Sequence, residues 1–573
     1  MRAAPFCVVF ATFVVSSSIM AADDSDESEW IAQVELLRGV VTRDESLPSR
    51  PVTGIDFQGS KKISDSSLSL LKRFPRLTTL NLFDTSITDE GLKELAELKN
   101  LTTLLLGLTR ITVGPSKITD TGVSTVSRMQ QLTTLRIQNS QITCVCWKDL
   151  GQLRNLTTLG VAYNRISDVG IESLGGLSHL TRLDLDLTDV SDAGLVEITK
   201  FRTLTSLGLR NTGITDAGLR SISELVGLTM LNLHSNHGIT NLGLKEVGKL
   251  KTLTSLVVGG TEITDDGLRE LSELEQLSVL DLSHAKITDI GLKELGNFQN
   301  LTTLDLRHTP ITGIGLKALR DLNTLTSLDL IGCRVITNEG TRALGKLEHL
   351  TVLRLGTTPI TNDGFLQLIE LHNLTNLSLG GCHLLDDSSL KWLGKFEQLK
   401  TLDLEDTGFG DQGLKRISTL KKLTVLNLSG VRRITVAGWR ELPHLKGLTD
   451  LDLSATQIPD SVLKEVGKLE NLRTLNLGRT KISDAGLRDL RNLDQLTTLN
   501  IIRTQIGDAG IKELKSLKRL DHLILMHTKI TDEGLKEINA FTNLKDLALG
   551  AKTPVTGAGK NRLKESRPDL TIW

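Results

Sequence analysis

Three aspartates stand at equal intervals in the middle of the chain. Asp281, Asp305 and Asp329 are 24 residues apart. Histidine follows two of them three residues later, at His284 and His308, and Arg307 precedes the second histidine. Imidazoles combined with carboxylates can ligate a divalent metal and so support a metal-dependent or hydrolytic site around Asp281, His284, Asp305 and His308. On neighbouring strands the aspartates would form a column with members about 5 Å apart. Like charges so placed repel and raise one another's pKa. Arg307, a protonated histidine, a cation or a basic partner must then compensate. Two plainer readings compete with the metal site: a solvated strand face copied along the chain, and a patch that binds a protein or peptide. Aspartate recurs at the same position as Asp184, Asp403 and Asp452 without any histidine, which weighs against the metal.

The remaining candidates are weaker. Asp403, Glu405, Asp406 and Asp452 form a second acidic group, and Phe83, Leu105, Leu108 and Tyr163 offer an apolar patch nearer the N-terminus. Apolar anchors carry most interface energy, so the latter is a candidate interaction site. Gly243–Leu250 and Gly340–Leu347 nearly match a phosphate-binding loop, but both end in Leu where Ser or Thr should hold magnesium. The sequence contains no H-E-x-x-H, no G-x-S-x-G and no paired C-x-x-C. It points to a non-enzymatic chain with no cofactor and no catalytic residues.

These residues sit in a repeated unit, shown by Leu301–Thr324. Its first half alternates apolar and polar residues, the period of a strand. Its second half carries leucines at i, i+3 and i+6, one stripe of a short helix. One strand and one short helix cannot bury an apolar face alone, so such units stack on copies of themselves. Copies start at Leu77, Leu101, Leu132 and Leu156 and continue to Leu544, nearly always at steps of 24. The units from Leu228, Leu325, Leu374 and Leu423 have 25 residues, with Asn236, Cys333, Cys382 or Val431 in the ninth position. Elsewhere that position is mostly Thr, whose hydroxyl is expected to bond backbone amides. The Ile-Thr-Asp-x-Gly-Leu phrase, as in Ile87–Leu92, marks the entry to the helix, where Thr88 or Asp89 can cap it. The unit from Leu101 is seven residues over length, with Val113–Thr119 as the apparent excess and a loop on one rim as the expected result.

Lys plus Arg number 67 and Asp plus Glu 68. That balance gives no field to attract nucleic acid or an anionic membrane. Met1–Ala22 reads as a signal peptide: Arg2, a short apolar run and small residues before cleavage after Ala21 or Ala22. The expected location is secreted, periplasmic or cell-surface, with no membrane insertion after cleavage. Residues 23–51 form a segment in which Trp30, Ile31, Val34, Leu36 and Leu37 make an amphipathic helix over the open end of the stack. Residues 52–569 form a solenoid of about 21 repeats, and 570–573 a C-terminal edge strand. Cys333 and Cys382 occupy equivalent places with one whole repeat between them, roughly 10 Å apart by strand spacing, beyond disulfide reach. Cys144 and Cys146 are too close in sequence to bridge without strain.

The pattern LxxLxLxxTxITDxGLxxLxxLxx, from Val52 to the C-terminus, resembles the leucine-rich repeat family. It looks most like the exported bacterial type, as in planctomycetes, whose units share the T-x-I-T-D-x-G-L phrase. The cysteine-bearing units are also similar to the repeats of eukaryotic F-box proteins, which would imply an intracellular substrate adaptor. The export signal, and the short stretch before Val52, depart from that second pattern. The resemblance implies an α/β solenoid, a horseshoe with parallel strands on the concave face and short helices on the convex face. It also implies recognition of a protein or other macromolecule through the concave face or a rim.

Overall fold

In the computed structural model, residues 24–109, 115–143, 145–568 and 570–573 are described. The segment read as a signal peptide, Cys144 and the first two residues of the apparent excess, Val113 and Gly114, lie outside them.

Each repeat contributes one short strand to a single sheet of 23 strands. Neighbours in sequence are neighbours in the sheet, parallel and in register: Leu280 pairs with Leu304, and Leu304 with Leu328. Leucine therefore stacks on leucine along the whole molecule. In the unit first considered, Leu301, Leu304, Leu306, Ile311, Leu316, Leu319 and Leu322 are all buried. Removing such side chains from water is the main favourable contribution to the fold. The helical half of this unit, Gly315–Asp321, winds as a tight 3-10 turn, where repeats such as those with Asp89–Leu95 and Asp216–Ile222 carry an α-helix of seven residues.

The Ile-Thr-Asp-x-Gly-Leu phrase divides its work between two repeats. Thr240 caps its own helix by accepting the Leu242 N–H. The aspartate does not cap its own helix; it reaches into the next repeat. The Thr240 N–H and hydroxyl donate to the two Asp216 oxygens at 2.7 and 2.6 Å, and the Gly243 N–H donates to the same carboxylate at 2.9 Å. Glycine is required because a Cβ on Gly243 would stand 2.6 Å from Asp216 Oδ1 and 2.7 Å from Leu219 Cδ1. The same pattern links Asp265 to Thr288 and Asp508 to Thr531. Gly243 and its helix are thus accounted for without a phosphate.

The ninth-position hydroxyls act differently from the sequence expectation. Thr309 donates to the carbonyl of Leu306, three residues back, at 2.6 Å. The amides that expectation favours are already committed: Leu306 N–H and His308 N–H bond carbonyls of the following strand. In the longer units the side chain reaches one repeat back instead. Cys333 and Cys382 donate to Leu306 O and Leu355 O, and Asn236 to Leu209 O. Both cysteines are free and buried, and burial pushes their thiols up.

The long unit also differs from expectation. Ser116 takes the ninth position and bonds Ser140, Ile118 is buried, and Thr119 caps the helix and donates to Asp89. Residues 116–119 are regular, so the excess lies between Thr109 and Ser116.

At the N-terminus, helix α1 (Asp24–Leu36) covers the first repeat with buried Val34, while Trp30, Ile31 and Leu37 pack against the core. Leu36 points outward, 68% exposed. A strand β1 (Val40–Arg43) then pairs antiparallel with β2 (Val52–Asp56). At the other end, Thr571–Ile572 pairs parallel with the strand Asp546–Ala548. Among the described residues, no helix is long and apolar enough to cross a membrane.

Candidate recognition surface

The three central aspartates are strand neighbours. Asp281 is in register with Asp305, Asp305 with Asp329, and Asp329 with Arg354. Each carboxylate accepts the backbone N–H two residues on, at 2.8 Å from Ser283, 3.0 Å from Arg307 and 3.1 Å from Ile331. This local turn explains why the position recurs as Asp or Asn. Asn232, Asn427, Asn476 and Asn500 make the same bond. The compensating charge is internal. Arg307 Nε lies 3.0 and 2.8 Å from the Asp305 oxygens, and 3.7 Å from Asp329, which Arg354 also approaches at 3.5 Å. Asp329 is buried, and that burial, with Asp305 adding, pushes its carboxyl up despite the Ile331 N–H and the two arginines. The Asp305 pairing holds Arg307 above its ordinary range.

His284 and His308 do not join the aspartates. They occupy the eighth position, with φ of 59° and 56°, where the chain turns off the strand. The same left-handed corner holds Asp84, Asn211, Asp406, and glycines such as Gly332, residue types that tolerate that conformation best. The two rings stack on each other, centroids 4.5 Å apart. Among the described residues, no group of three or more His, Cys, Asp or Glu is arranged to hold a metal ion. The carboxylates accept from backbone amides and arginine, while the imidazoles sit at the corner.

The second acidic group is interrupted. Asn427 stands between Asp403 and Asp452, donating to Asp403, and Ser378 bonds the other Asp403 oxygen. Glu405 is pushed up by burial and then by Asp403 and Asp406. Of the apolar candidates, Phe83 and Leu108 are buried at 7% and 9% exposure. Leu105 and Tyr163 are half-buried.

A hollow lies elsewhere on the same strand face. A cavity of about 1030 Å³ extends from Thr78 to Val257. That residues seven repeats apart share it shows how strongly this face is curved inward. At its centre Gly160 and Gly208 flank Asp184 in register. Arg136 extends over Gly160, where a Cβ would meet its Cγ at 3.0 Å. Asp186 accepts the Arg210 N–H at 2.8 Å and, across Gly208, the Asn232 amide at 3.3 Å. Burial, then the neighbouring Asp184, raises Asp186 to about 6, and burial likewise raises Asp184. The sequence carried a signal for this site: two glycines in a column otherwise rich in Asp and Asn.

A family model described as a leucine-rich repeat region matches residues 183–407 and 409–567, and a second, of the leucine-rich repeat, matches 76–96, 152–175 and 398–418. A search of curated proteins finds no match. Among solved structures, the chain is similar to TLR13 in complex with ssRNA13, at 20% identity over 88% of this chain and 78% of that one, TM-score 0.51. It is similar to mouse RP105 in complex with MD-1, at 19% identity over 89% of each chain, TM-score 0.50. It is also similar to an internalin from Listeria monocytogenes, at 25% identity over 53% of this chain and 83% of that one, TM-score 0.43. Repeat by repeat and over most of its length, the chain belongs to the leucine-rich repeat family.

Proposed function

We propose that this chain is an exported, non-enzymatic recognition protein that binds a protein or peptide on the inner face of its sheet. The hollow around Arg136, Asp184 and Asp186 is the principal contact, and the Asp281–Asp329 column with Arg307 flanks it. The cavity itself is the observation that carries this reading. It spans eight successive repeats of the strand face, and it mixes two arginines, two carboxylates and exposed Met230. Interface hot spots favour arginine in sheltered pockets. The aspartate column is a weaker candidate, because Arg307 and Arg354 already pair with Asp305 and Asp329. The similar structure of RP105 is a complex with MD-1, which supports a protein partner for this chain.

The test uses protein recovered from the exported fraction, starting at Ala22 or Asp23, and a displayed peptide library. Enriched peptides should lose at least tenfold in affinity, about 1.4 kcal/mol, when Arg136→Glu is introduced. The triple change Asp281→Asn, Asp305→Asn and Asp329→Asn should cost less. Peptides that bind Arg136→Glu unchanged while the variant keeps its circular dichroism would exclude the hollow.

A further inference from the structure

The two ends of the solenoid meet. Arg38, just after α1, donates from Nη2 to the carbonyl of Leu544, at the start of the last repeat, 506 residues away, at 3.0 Å. That carbonyl also accepts Arg567 Nη2 at 2.9 Å, and Arg567 Nη1 bonds Phe541 O. The Asp546 carboxylate lies near enough to Arg38 to feel its charge. Burial pushes its carboxyl up, but the His522 hydrogen bond and charge, Trp573 and Arg38 together hold it below its ordinary value. Asp546 is held in place by His522 Nε2 at 3.0 Å, and His522 Nδ1 is anchored in turn 2.6 Å from Asp521.

The sheet itself stays open. Among the described residues, β1 pairs only with β2, and Thr571–Ile572 only with Asp546–Ala548. Free edges of this kind are liabilities that proteins tend to cover or twist away. Here Val40 and Trp573, on the two edge segments, are 68% and 46% exposed.

We infer that Arg38 is a latch that closes the solenoid into a ring, and that the ring restricts what can reach the inner face. Twenty-three strands at about 4.8 Å spacing give an inner circumference of roughly 110 Å and a backbone diameter of roughly 35 Å. Side chains take about 5 Å from each side, half the spacing of face-packed sheets, which leaves an opening of roughly 25 Å. A single helix, about 10–12 Å across, enters freely. A compact 100-residue domain, with a radius of gyration of about 13 Å, does not. The partner of the inner face is therefore an extended or helical segment inserted along the ring axis. This size limit rests on the inner-face reading above; the latch does not.

The latch is tested on the full chain without any partner. Spin labels on unnatural amino acids at Glu35 and Thr542 leave the native cysteines untouched, and their separation is read by electron–electron resonance. The latch predicts one narrow, short distance. Arg38→Glu should broaden it and lengthen it by at least one strand spacing, about 5 Å, with circular dichroism unchanged, whereas Arg38→Lys should shift it less. A broad, long distance in the unaltered chain would overturn the ring. An unchanged distance in folded Arg38→Glu would overturn Arg38 as its latch. Neither result depends on whether the inner face binds anything.

Discussion

Asp186 sets the electrostatics of the hollow. Burial and Asp184 raise its carboxyl to about 6 from an ordinary 3.8. The native state therefore holds this proton more tightly than the unfolded chain does. As pH rises from about 4 to 6 the unfolded chain gives the proton up first, so Asp186 lowers stability across that window and remains a cost above it. Asp186→Asn keeps an oxygen for the Arg210 N–H and removes the charge. It should raise the urea midpoint at pH 7.5 and leave it nearly unchanged at pH 4. Equal effects at both values would show that burial is not what raises this group. The sequence displayed Asp184 and Asp186 but not their burial: both carboxylates settle into the space left by the missing side chain of Gly208 in the adjacent strand. The placement of His284 and His308 was hidden for a related reason. Their spacing matches the aspartates, yet the eighth position is a backbone corner, where the two rings stack on each other.

At the scale of the element, the unit of cohesion is the contact between one helix entry and the next. Asp216, Thr240 and Gly243 belong to two successive repeats and make three hydrogen bonds. A methyl group at Gly243 meets the carboxylate and Leu219 at once, so Gly243→Ala should destabilise by about 1–3 kcal/mol, the range for overpacking. A methyl group at Gly296, in the helical turn Lys293–Asn297, would meet nothing within 4 Å. Gly296→Ala should stabilise by about 0.4–1 kcal/mol, mostly by restricting the unfolded chain. Denaturant unfolding of the two variants checks the pair; a loss at both positions would mean that glycine flexibility, not the Asp216 carboxylate, sets the motif. The leucine stripe and the Thr cap were legible in the sequence, because burial repeats at 24 and capping is local. The aspartate's target was not. Thr88 and Asp89 are adjacent, either can cap, and only stacking decides which one reaches the neighbour.

For the whole molecule, the repeat period reads directly from the leucines, and parallel stacking follows from the inability of one unit to bury its own face. Curvature does not read from the sequence in the same way. It accumulates from a small rotation per repeat, and only the finished structure brings Arg38 to Leu544. The inner face then becomes an enclosed surface with the hollow on one flank and the Asp281–Asp329 column on another, while the helices face outward. Sites on the two sides of the same repeats separate these alternatives. A photo-crosslinking amino acid placed at Ser206 or Met230 faces the hollow, and one at Arg220 or Lys245 sits exposed on the intervening helices. Exposed to the exported fraction of its own cells, the chain should form a discrete crosslinked species from Ser206 and Met230 and none from Arg220 and Lys245. A discrete species from the helix positions alone would contradict recognition by the inner face.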